Sequence, residues 1–265
     1  MSFSKISPKE SIISRHYEII PIPAFEDNYI WLLHQYGYAI VVDPGDATPV
    51  IAYLIQHQLK LIGILVTHYH HDHIGGISAL IDFANPQIYA SAYESLPYPH
   101  ISVSDGEKIS ISEINLSLEV MHIPGHTLGH VAYYNTDFIF CGDTLFAGGC
   151  GRIFEGSPEQ MLNSLHRIAQ LSPNTSVYCT HEYTEKNLAF ALSLEPSNQD
   201  LIHRRKTTHN QRKQAKPSLP SNIGLELKTN PFLRCNQAEI IQSSNASQSD
   251  ELTVFSKIRM LRNHY

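Results

Sequence analysis

The sequence has few cysteines and lacks any long apolar stretch. Of its 265 residues, 4 are cysteines, and no two of them form a CxxC pair: Cys141, Cys150, Cys179 and Cys235. This spacing excludes a disulfide framework and a cysteine-based zinc site, and it predicts reduced thiols. A membrane-spanning helix would need about 18 consecutive apolar residues, which the sequence does not contain. The first residues also lack the apolar segment of a secretory signal, so we expect a cytoplasmic protein that does not associate with membranes.

Positive charge is scarce in the first two-thirds of the chain. Residues 1–180 carry 7 Lys or Arg against 17 Asp or Glu, whereas residues 181–265 carry 12 against 8. The overall net charge of −6 argues against a protein that binds nucleic acids. Histidine, in contrast, is abundant, with 16 residues beside 19 Lys and Arg together. An apolar content of 42% suffices for a packed core and excludes a disordered chain.

The pattern of apolar residues changes near residue 180. Up to that point it alternates between strand and helix, with strands predicted over 17–22, 28–34, 38–42, 61–66, 87–90, 108–111, 114–122, 131–134, 138–141 and 176–180. Helices are predicted over 47–57 and 157–171, and then over 182–194, 198–214 and 250–262. The sequence therefore predicts an N-terminal extension (1–16), an α/β domain (17–180) and a smaller helical domain (181–265).

The loop after the apolar strand 61–66 has a composition typical of a metal site. It reads THYHHDH, and four histidines with one aspartate in six residues are far above chance. In an extended segment His68, His70 and Asp72 project to one side, and a turn after Asp72 could bring His73 back. His71 falls on the opposite side and is not expected to be a ligand. Imidazole and carboxylate donors without thiolate suit zinc, iron or manganese.

Three further segments place a possible ligand at the end of a strand. His126 lies in a glycine-rich turn, Asp143 follows an apolar strand, and His181 follows the last strand of the α/β region. Strand ends of a layered α/β fold converge on one edge, where enzymes build their sites. His122 and His130 are expected to have turn or supporting roles. A closed structural zinc site is disfavoured, because such sites are usually built from cysteine.

These motifs resemble the metallo-β-lactamase superfamily, which implies an αβ/βα sandwich with the C-terminal helical domain attached to it. The matching segments are THYHHDH at 67–73, PGHTLGH at 124–130, GD at 142–143, and His181. The resemblance implies two divalent metal ions, zinc above all, with iron or manganese as alternatives. It implies one ion on His68, His70 and His126, another on Asp72, His73 and His181, and Asp143 bridging both. Asp72 and Asp143 are then expected to act in catalysis as well as in metal binding.

Other segments resemble the hydroxyacylglutathione hydrolase (glyoxalase II) family within that superfamily. They are PAFEDNYIW at 23–31, FAGGCGR at 146–152, CTHEYT at 179–184, TNPFLR at 229–234 and the closing Arg-x-x-Arg pair. The resemblance implies hydrolysis of S-lactoylglutathione and related thioesters by a metal-bridging hydroxide, the second step of methylglyoxal detoxification. It also implies that the glutathione part contacts four side chains: Arg152, Tyr183, Arg259 and Arg262.

The chain departs from that family at a few positions. Residue 154 is Phe where some members have Tyr, so a phenol contact is absent. Arg152 and Arg262 stand where some members have Lys, which keeps the charge but changes a point charge into a planar fork. Thr180 replaces a common Gly beside His181.

Four other functions remain compatible with parts of the sequence. A persulfide dioxygenase would use one iron on His68, His126 and Asp143, and a lactonase would share the fold. A nuclease is disfavoured by the acidic first domain, and a metal-binding module without activity is disfavoured by the complete ligand set. We expect a monomer that acts on a small-molecule glutathione thioester.

Overall fold

Two mixed β-sheets form the centre of the structure, a computed structural model that describes residues 17–246 and 250–265. The first sheet holds six neighbouring strands in chain order: β1 (Glu18–Ala24), β2 (Asn28–Gln35), β3 (Tyr38–Val42), β4 (Lys60–Leu65), β5 (Gln87–Ser91) and β6 (Ile101–Val103). Its first three strands pair antiparallel, and β3 to β6 run parallel. The N-terminal extension predicted over 1–16 lies outside the described residues.

The remaining strands are β7 (Lys108–Ile111), β8 (Leu116–His122), β9 (Val131–Tyr134), β10 (Phe138–Gly142), β11 (Leu145–Phe146), β12 (Gly149–Cys150), β13 (Ser176–Cys179) and β14 (Ser221–Asn222). Strands β11 and β12 form a separate hairpin, and the others form the second sheet in the order β14-β13-β10-β9-β8-β7. Because β8, β9 and β10 pair antiparallel in turn and β10 pairs parallel with β13, the carboxyl ends of β8, β10 and β13 lie at one edge.

Alternation along the central strands assigns each side chain to one of two cores. In β2, Trp31 and Leu33 face the core shared with the second sheet, whereas Ile30 and Leu32 face the helices on the outer side. All four side chains are at most 2% exposed, as the apolar sequence of this strand predicts. The Trp31 indole also donates a 2.9 Å hydrogen bond to the Cys179 carbonyl, which joins the two sheets.

Helices cover the outer faces of both sheets. They are α1 (Ala47–Gln56), α2 (His71–Ile74), α3 (Ile77–Ala84) and α4 (Pro158–Ala169). Helices α1 and α3 pack on the first sheet through Val50, Leu54 and Leu80. Ser157 caps α4 in a capping box with Gln160, as the sequence predicts. The layers confirm the predicted αβ/βα sandwich.

The C-terminal region is mainly helical, as predicted. Its helices are α5 (Thr184–Leu194), α6 (Gln199–Lys213), α7 (Ile223–Thr229), α8 (Ala238–Ser244) and α9 (Glu251–Arg262). The sequence predicted no strand here, yet β14 pairs with the edge of β13. This strand is two residues long, too short to produce an apolar pattern. Within the residues that the structure describes, no helix combines the length and apolarity needed to cross a membrane.

Candidate active site

The predicted ligands converge at one edge of the sandwich because they follow strands that end there. His68 and His70 come after β4, His126 after β8, Asp143 after β10, and His181 after β13. The donor atoms group into three overlapping sets, each within 4.8 Å: His68, His70 and His126; His68, His73 and Asp143; and Asp72, His73 and His181. All seven residues that the sequence nominated therefore lie in one cluster.

One group of donors consists of three imidazoles. Nδ1 of His70 lies 3.0 Å from Nε2 of His68 and 3.0 Å from Nε2 of His126. His68 is fully buried and His126 is 4% exposed. Three ring nitrogens therefore converge on one point without an ionised group among them.

The second group combines a carboxylate with two imidazoles. Asp72 Oδ2 lies 3.5 Å from Nε2 of both His73 and His181. The local backbone differs from the extended segment that the sequence suggested, because α2 begins at His71 and carries Asp72 and His73 within one helical turn. That turn leaves His71 exposed, as expected.

Asp143 lies between the two groups. Its Oδ1 is 3.6 Å from His73 Nε2, while its Oδ2 is 3.6 Å from His126 Nε2 and 3.3 Å from His181 Nε2. The preceding Gly142 has a φ of 49°, and a Cβ there would lie 2.4 Å from Thr67 Oγ1. Glycine is therefore required to turn the chain and bring this carboxylate between the histidines.

Further groups fix the orientation of the ligand side chains. Nδ1 of His181 lies 2.8 Å from Asp27 Oδ1, and Nδ1 of His73 lies 3.1 Å from Asp43 Oδ2. His126 Nδ1 lies 2.7 Å from the Arg152 carbonyl. Such outer partners set the tautomer and rotation of a metal-binding imidazole.

The position of Asp43 is fixed by its backbone conformation and by hydrogen bonds to Thr67, which directly precedes His68. Asp43 has a left-handed φ of 51°, and its carboxylate accepts 2.7 Å hydrogen bonds from the amide and hydroxyl of Thr67. A non-glycine residue in this region is strained, and such strain is commonly found at functional sites. Asn28 similarly donates a 3.1 Å hydrogen bond to Asp72.

Sequence reasoning did not assign these roles to Asp27, Asn28 and Asp43. Asn28 opens β2, Asp27 directly precedes it, and Asp43 follows β3. Since β2 and β3 are antiparallel, all three residues lie at the edge where β4 also ends. The sequence shows only that these residues lie at the ends of predicted strands. Their roles can be assigned only when the order of the strands in the sheet is known.

Electrostatics divides the cluster into neutral and charged histidines. Burial lowers the pKa of His68, His70 and His126. Burial also opposes a charge on His73, but Asp143 and Asp43 outweigh it and hold the pKa of His73 well above its ordinary value. For His181 burial is likewise outweighed, and Asp143 with Asp27 raises its pKa to about 9.

The cluster fits divalent metal ions. Two fully buried atoms, His73 Nε2 and Asp143 Oδ1, have no hydrogen-bond partner among the described residues. Buried polar atoms are normally satisfied, so the arrangement of these atoms around shared points fits a bound cation. The donors are imidazole nitrogens and carboxylate oxygens, which suit zinc, iron and manganese.

A cavity of about 570 Å³ extends from this cluster to the C-terminal helices. Its lining includes His126 and Asp143 together with all four side chains predicted to contact glutathione: Arg152, Tyr183, Arg259 and Arg262. The Tyr183 ring stacks on His181, with centroids 4.7 Å apart. The structure therefore brings the predicted binding residues next to the predicted metal ligands.

The arginines of the cavity differ in their surroundings. Arg259 is 7% exposed, and its Nη1 donates 2.7 and 3.3 Å hydrogen bonds to the carbonyls of Cys150 and Gly151. Arg262 is half-buried, and Arg152 is exposed with its guanidinium over the Phe154 ring. Arg259 thus also supports the β11–β12 hairpin, a role that its position in the sequence did not reveal.

Two residues that depart from the family pattern, Phe154 and Thr180, lie close to the His/Asp cluster. Phe154 is 59% exposed and its ring approaches His126 and His70, with centroid distances of 5.2 and 5.6 Å. Thr180 is buried, and its carbonyl accepts a 2.7 Å hydrogen bond from the Tyr29 amide. His122 lies outside the metal cluster, whereas His130 Nε2 accepts a hydrogen bond from the Asp143 amide, in keeping with a supporting role.

Comparison with known families agrees with this geometry. A model of the metallo-β-lactamase superfamily matches residues 24–181, and a model of the hydroxyacylglutathione hydrolase C-terminus matches residues 182–265. A crystal structure of the BLEG-1 B3 metallo-β-lactamase superposes with a TM-score of 0.61 and 25% identity, covering 82% of this chain and 99% of that one. The superfamily match supports divalent-metal binding by the clustered histidines and aspartates.

Curated relatives extend over almost the whole chain. A hydroxyacylglutathione hydrolase from Methylobacillus flagellatus is 56% identical over 94% of this chain and 100% of its own length. Another from Nitrosomonas eutropha is 48% identical over 94% of this chain and 99% of its own length. The chain therefore belongs to the hydroxyacylglutathione hydrolase family of the metallo-β-lactamase superfamily.

Proposed function

We propose that the protein hydrolyses S-(2-hydroxyacyl)glutathione thioesters, such as S-lactoylglutathione, to a 2-hydroxy acid and glutathione. One observation carries this proposal: a single cavity joins the His/Asp cluster to three arginines. Glutathione has two carboxylates, which guanidinium groups bind well. A thioester bound to the arginines can therefore present its carbonyl to the cluster. The names of the curated relatives support the same substrate.

In this proposal the two donor groups would hold two divalent metal ions, zinc in the first instance. His68, His70 and His126 would hold one ion, Asp72, His73 and His181 would hold the other, and the Asp143 carboxylate between the groups would serve both. Such a pair of ions supplies a hydroxide nucleophile near neutral pH and polarises the carbonyl oxygen. The Asp143 carboxylate lies 3.6 Å from His126 Nε2 of the first group and 3.3 Å from His181 Nε2 of the second, which supports this shared role.

Side chains of the protein bind the substrate and hold the ligand imidazoles in position. Arg152, Arg262 and Tyr183 line the cavity and bind the glutathione part, while Asp27 and Asp43 keep two ligand imidazoles in position. Cys150 also lines the cavity, but burial raises the pKa of its thiol, which disfavours it as a nucleophile.

The leaving group requires no proton donor from the chain. A thiol has a pKa near about 8.5, so glutathione can leave as a thiolate near neutral pH. We accordingly assign no general acid. Asp72 and Asp143 belong to the donor groups, and in this scheme they would act in catalysis through the metal ions that they help to hold.

The proposal also assigns different roles to two domains of the chain. Residues 17–180 form the metal-binding domain and residues 181–265 the helical substrate-binding domain. The two family models meet at residues 181 and 182, and the cavity is lined from both sides, which supports this division. The monomeric state and the cytoplasmic location stay predictions.

The test is a thioester assay combined with elemental analysis of protein purified without added metal. The proposal expects two metal ions per chain and release of free thiol from S-lactoylglutathione. One iron with oxygen uptake would instead indicate a dioxygenase, and bound metal without turnover an inactive binding module.

A matched pair of variants checks the assignment of the cluster. His70→Ala is expected to lose metal and turnover, whereas the neighbouring His71→Ala is expected to keep both, because His71 is exposed and outside the cluster. Equal losses in the two variants would contradict the assignment.

A further inference from the structure

An asparagine side chain orients Arg262 at the cavity. Asn187 is 4% exposed, and its Oδ1 accepts hydrogen bonds of 3.3 and 3.1 Å from Nε and Nη2 of Arg262. Its own Nδ2 donates a 3.2 Å hydrogen bond to the Ala147 carbonyl. Since a carbonyl can only accept, this contact fixes which end of the amide faces the guanidinium.

A second asparagine joins the other two arginines. Asn263 Oδ1 accepts a 3.1 Å hydrogen bond from Nη2 of Arg259 and a longer one, 3.5 Å, from Nε of Arg152. Asn263 follows the last residue of α9, whereas Arg152 belongs to the preceding domain. One amide oxygen thus connects guanidinium groups from both sides of the cavity.

Other arginines of the protein whose side chains are anchored each pair with a carboxylate. Elsewhere, Arg204 pairs with Glu226 at the centre of the C-terminal region, and Arg234 pairs with Glu195. In contrast, none of the three cavity arginines forms an ion pair within residues 17–246 and 250–265. Their orientation is therefore fixed without compensation of their charge.

The carboxylates that line the cavity are engaged elsewhere. Asp27 contacts His181, and Asp143 contacts the clustered histidines. Lys186 lies on the same lining as the arginines and adds a fourth cation. Apart from the clustered residues, the lining of the cavity is therefore strongly positive and suits a ligand with more than one carboxylate.

We propose that Asn187 and Asn263 are positioning residues that orient the cavity arginines while leaving their full charge available to the carboxylates of the glutathione part. This inference rests on the proposed function, which it extends to the basis of substrate recognition. A carboxylate at either position could accept the same hydrogen bonds, but it would neutralise the arginine and repel the substrate.

The test compares Asn187→Asp and Asn263→Asp with the wild-type enzyme. As a matched control, Asn210→Asp makes the same change of charge at an exposed position of α6. Steady-state kinetics are measured with S-lactoylglutathione and with a neutral lactoyl thioester of N-acetylcysteamine, and calorimetry measures the binding of glutathione itself.

For Asn187→Asp and Asn263→Asp we expect KM for S-lactoylglutathione to rise about tenfold, with kcat lowered much less. The preference for the glutathione thioester over the neutral one, as a ratio of kcat/KM, should fall by a similar factor. Glutathione should bind about tenfold more weakly, and Asn210→Asp should match the wild type in each measurement.

Two results would overturn the inference. Wild-type KM in the two aspartate variants would show that the charge of the acceptor is irrelevant, and equal losses with both thioesters would show a merely structural role. A wild-type enzyme that binds glutathione but does not cleave its thioester would refute the proposed function instead. In that case weaker glutathione binding by Asn187→Asp would still support the positioning role.

Discussion

The two groups of metal ligands should load with different dependences on pH. In the metal-free protein burial lowers the pKa of His68, His70 and His126, so these rings are neutral at pH 7. Despite their burial, Asp143 and the adjacent carboxylates keep His73 and His181 protonated, the latter with a pKa of about 9. A metal ion binds only the neutral ring, so it must displace these protons.

The size of the effect follows from the pKa of His181. With a pKa of about 9, only about one ring in a hundred is neutral at pH 7, which weakens metal binding about a hundredfold. By the same reasoning, protonation of His181 weakens metal binding about a thousandfold at pH 6 and about tenfold at pH 8. His73 acts in the same direction, because its pKa is also raised. Affinity at this group therefore increases with pH, at least tenfold per unit below pH 9.

The triple-histidine group should behave differently. Its pKa values are lowered, so protons do not compete with metal at pH 6 to 8 and affinity should be nearly constant there. We therefore expect protein dialysed against a metal buffer at pH 6 to retain about one ion per chain, and the same protein at pH 8 to retain two.

Calorimetric titration at pH 7 measures the protons directly, when it is repeated in two buffers with different heats of ionisation. The first ion should release essentially no protons from the ligand side chains, and the second about two. Equal pH dependence for both ions, or proton release confined to the first, would refute the assignment of neutral and charged histidines. A His71→Ala variant provides the control, because this exposed ring lies outside both groups.

Four further predictions concern single residues. Asp143→Ala should lose at least one metal ion and lower kcat by at least about a thousandfold, while circular dichroism shows an intact fold; full metal content would contradict its bridging position. Glu226→Ala should destabilise the protein by about 3–5 kcal/mol in urea unfolding, because it leaves the guanidinium of Arg204 buried without its partner. Arg262→Ala should raise KM more than it lowers kcat. Arg259→Ala should do the same but also cost about 1–3 kcal/mol of stability, since the Cys150 carbonyl loses its donor; equal melting temperatures for these two variants would contradict the supporting role.

The members of the His/Asp cluster were predictable because their signals are local. A dense His/Asp loop follows an apolar strand, and the other three ligands each follow a strand in the same way. Short apolar runs also predicted β2, β3 and β4 from the sequence alone. These features depend on residues that are close in sequence, so a single sequence contains them.

Other elements had no comparable local signal. Helix α3 begins after Gly76, which provides no side-chain cap, and the sequence did not predict it. Strand β14 has two residues and exists only because the edge of β13 is available. The roles of Asp27 and Asp43 depend on which strands are neighbours, and that order is a property of the whole fold rather than of either turn.

The uneven charge of the sequence also acquires a more specific meaning. The excess of cations in residues 181–265 suits an anionic substrate, but several of these cations do not line the cavity. Arg204 and Arg234 form ion pairs within the C-terminal region. Arg259 and Arg262 line the cavity, and neither forms an ion pair with a carboxylate among the described residues. Arg152 lines the same cavity from the acidic domain. The affinity for an anion therefore depends on the few cations that line the cavity, and substitutions of basic residues outside the cavity should change it little. The net positive charge of residues 181–265 matches an anionic ligand, whereas the neutral amides beside the arginines determine where that charge acts.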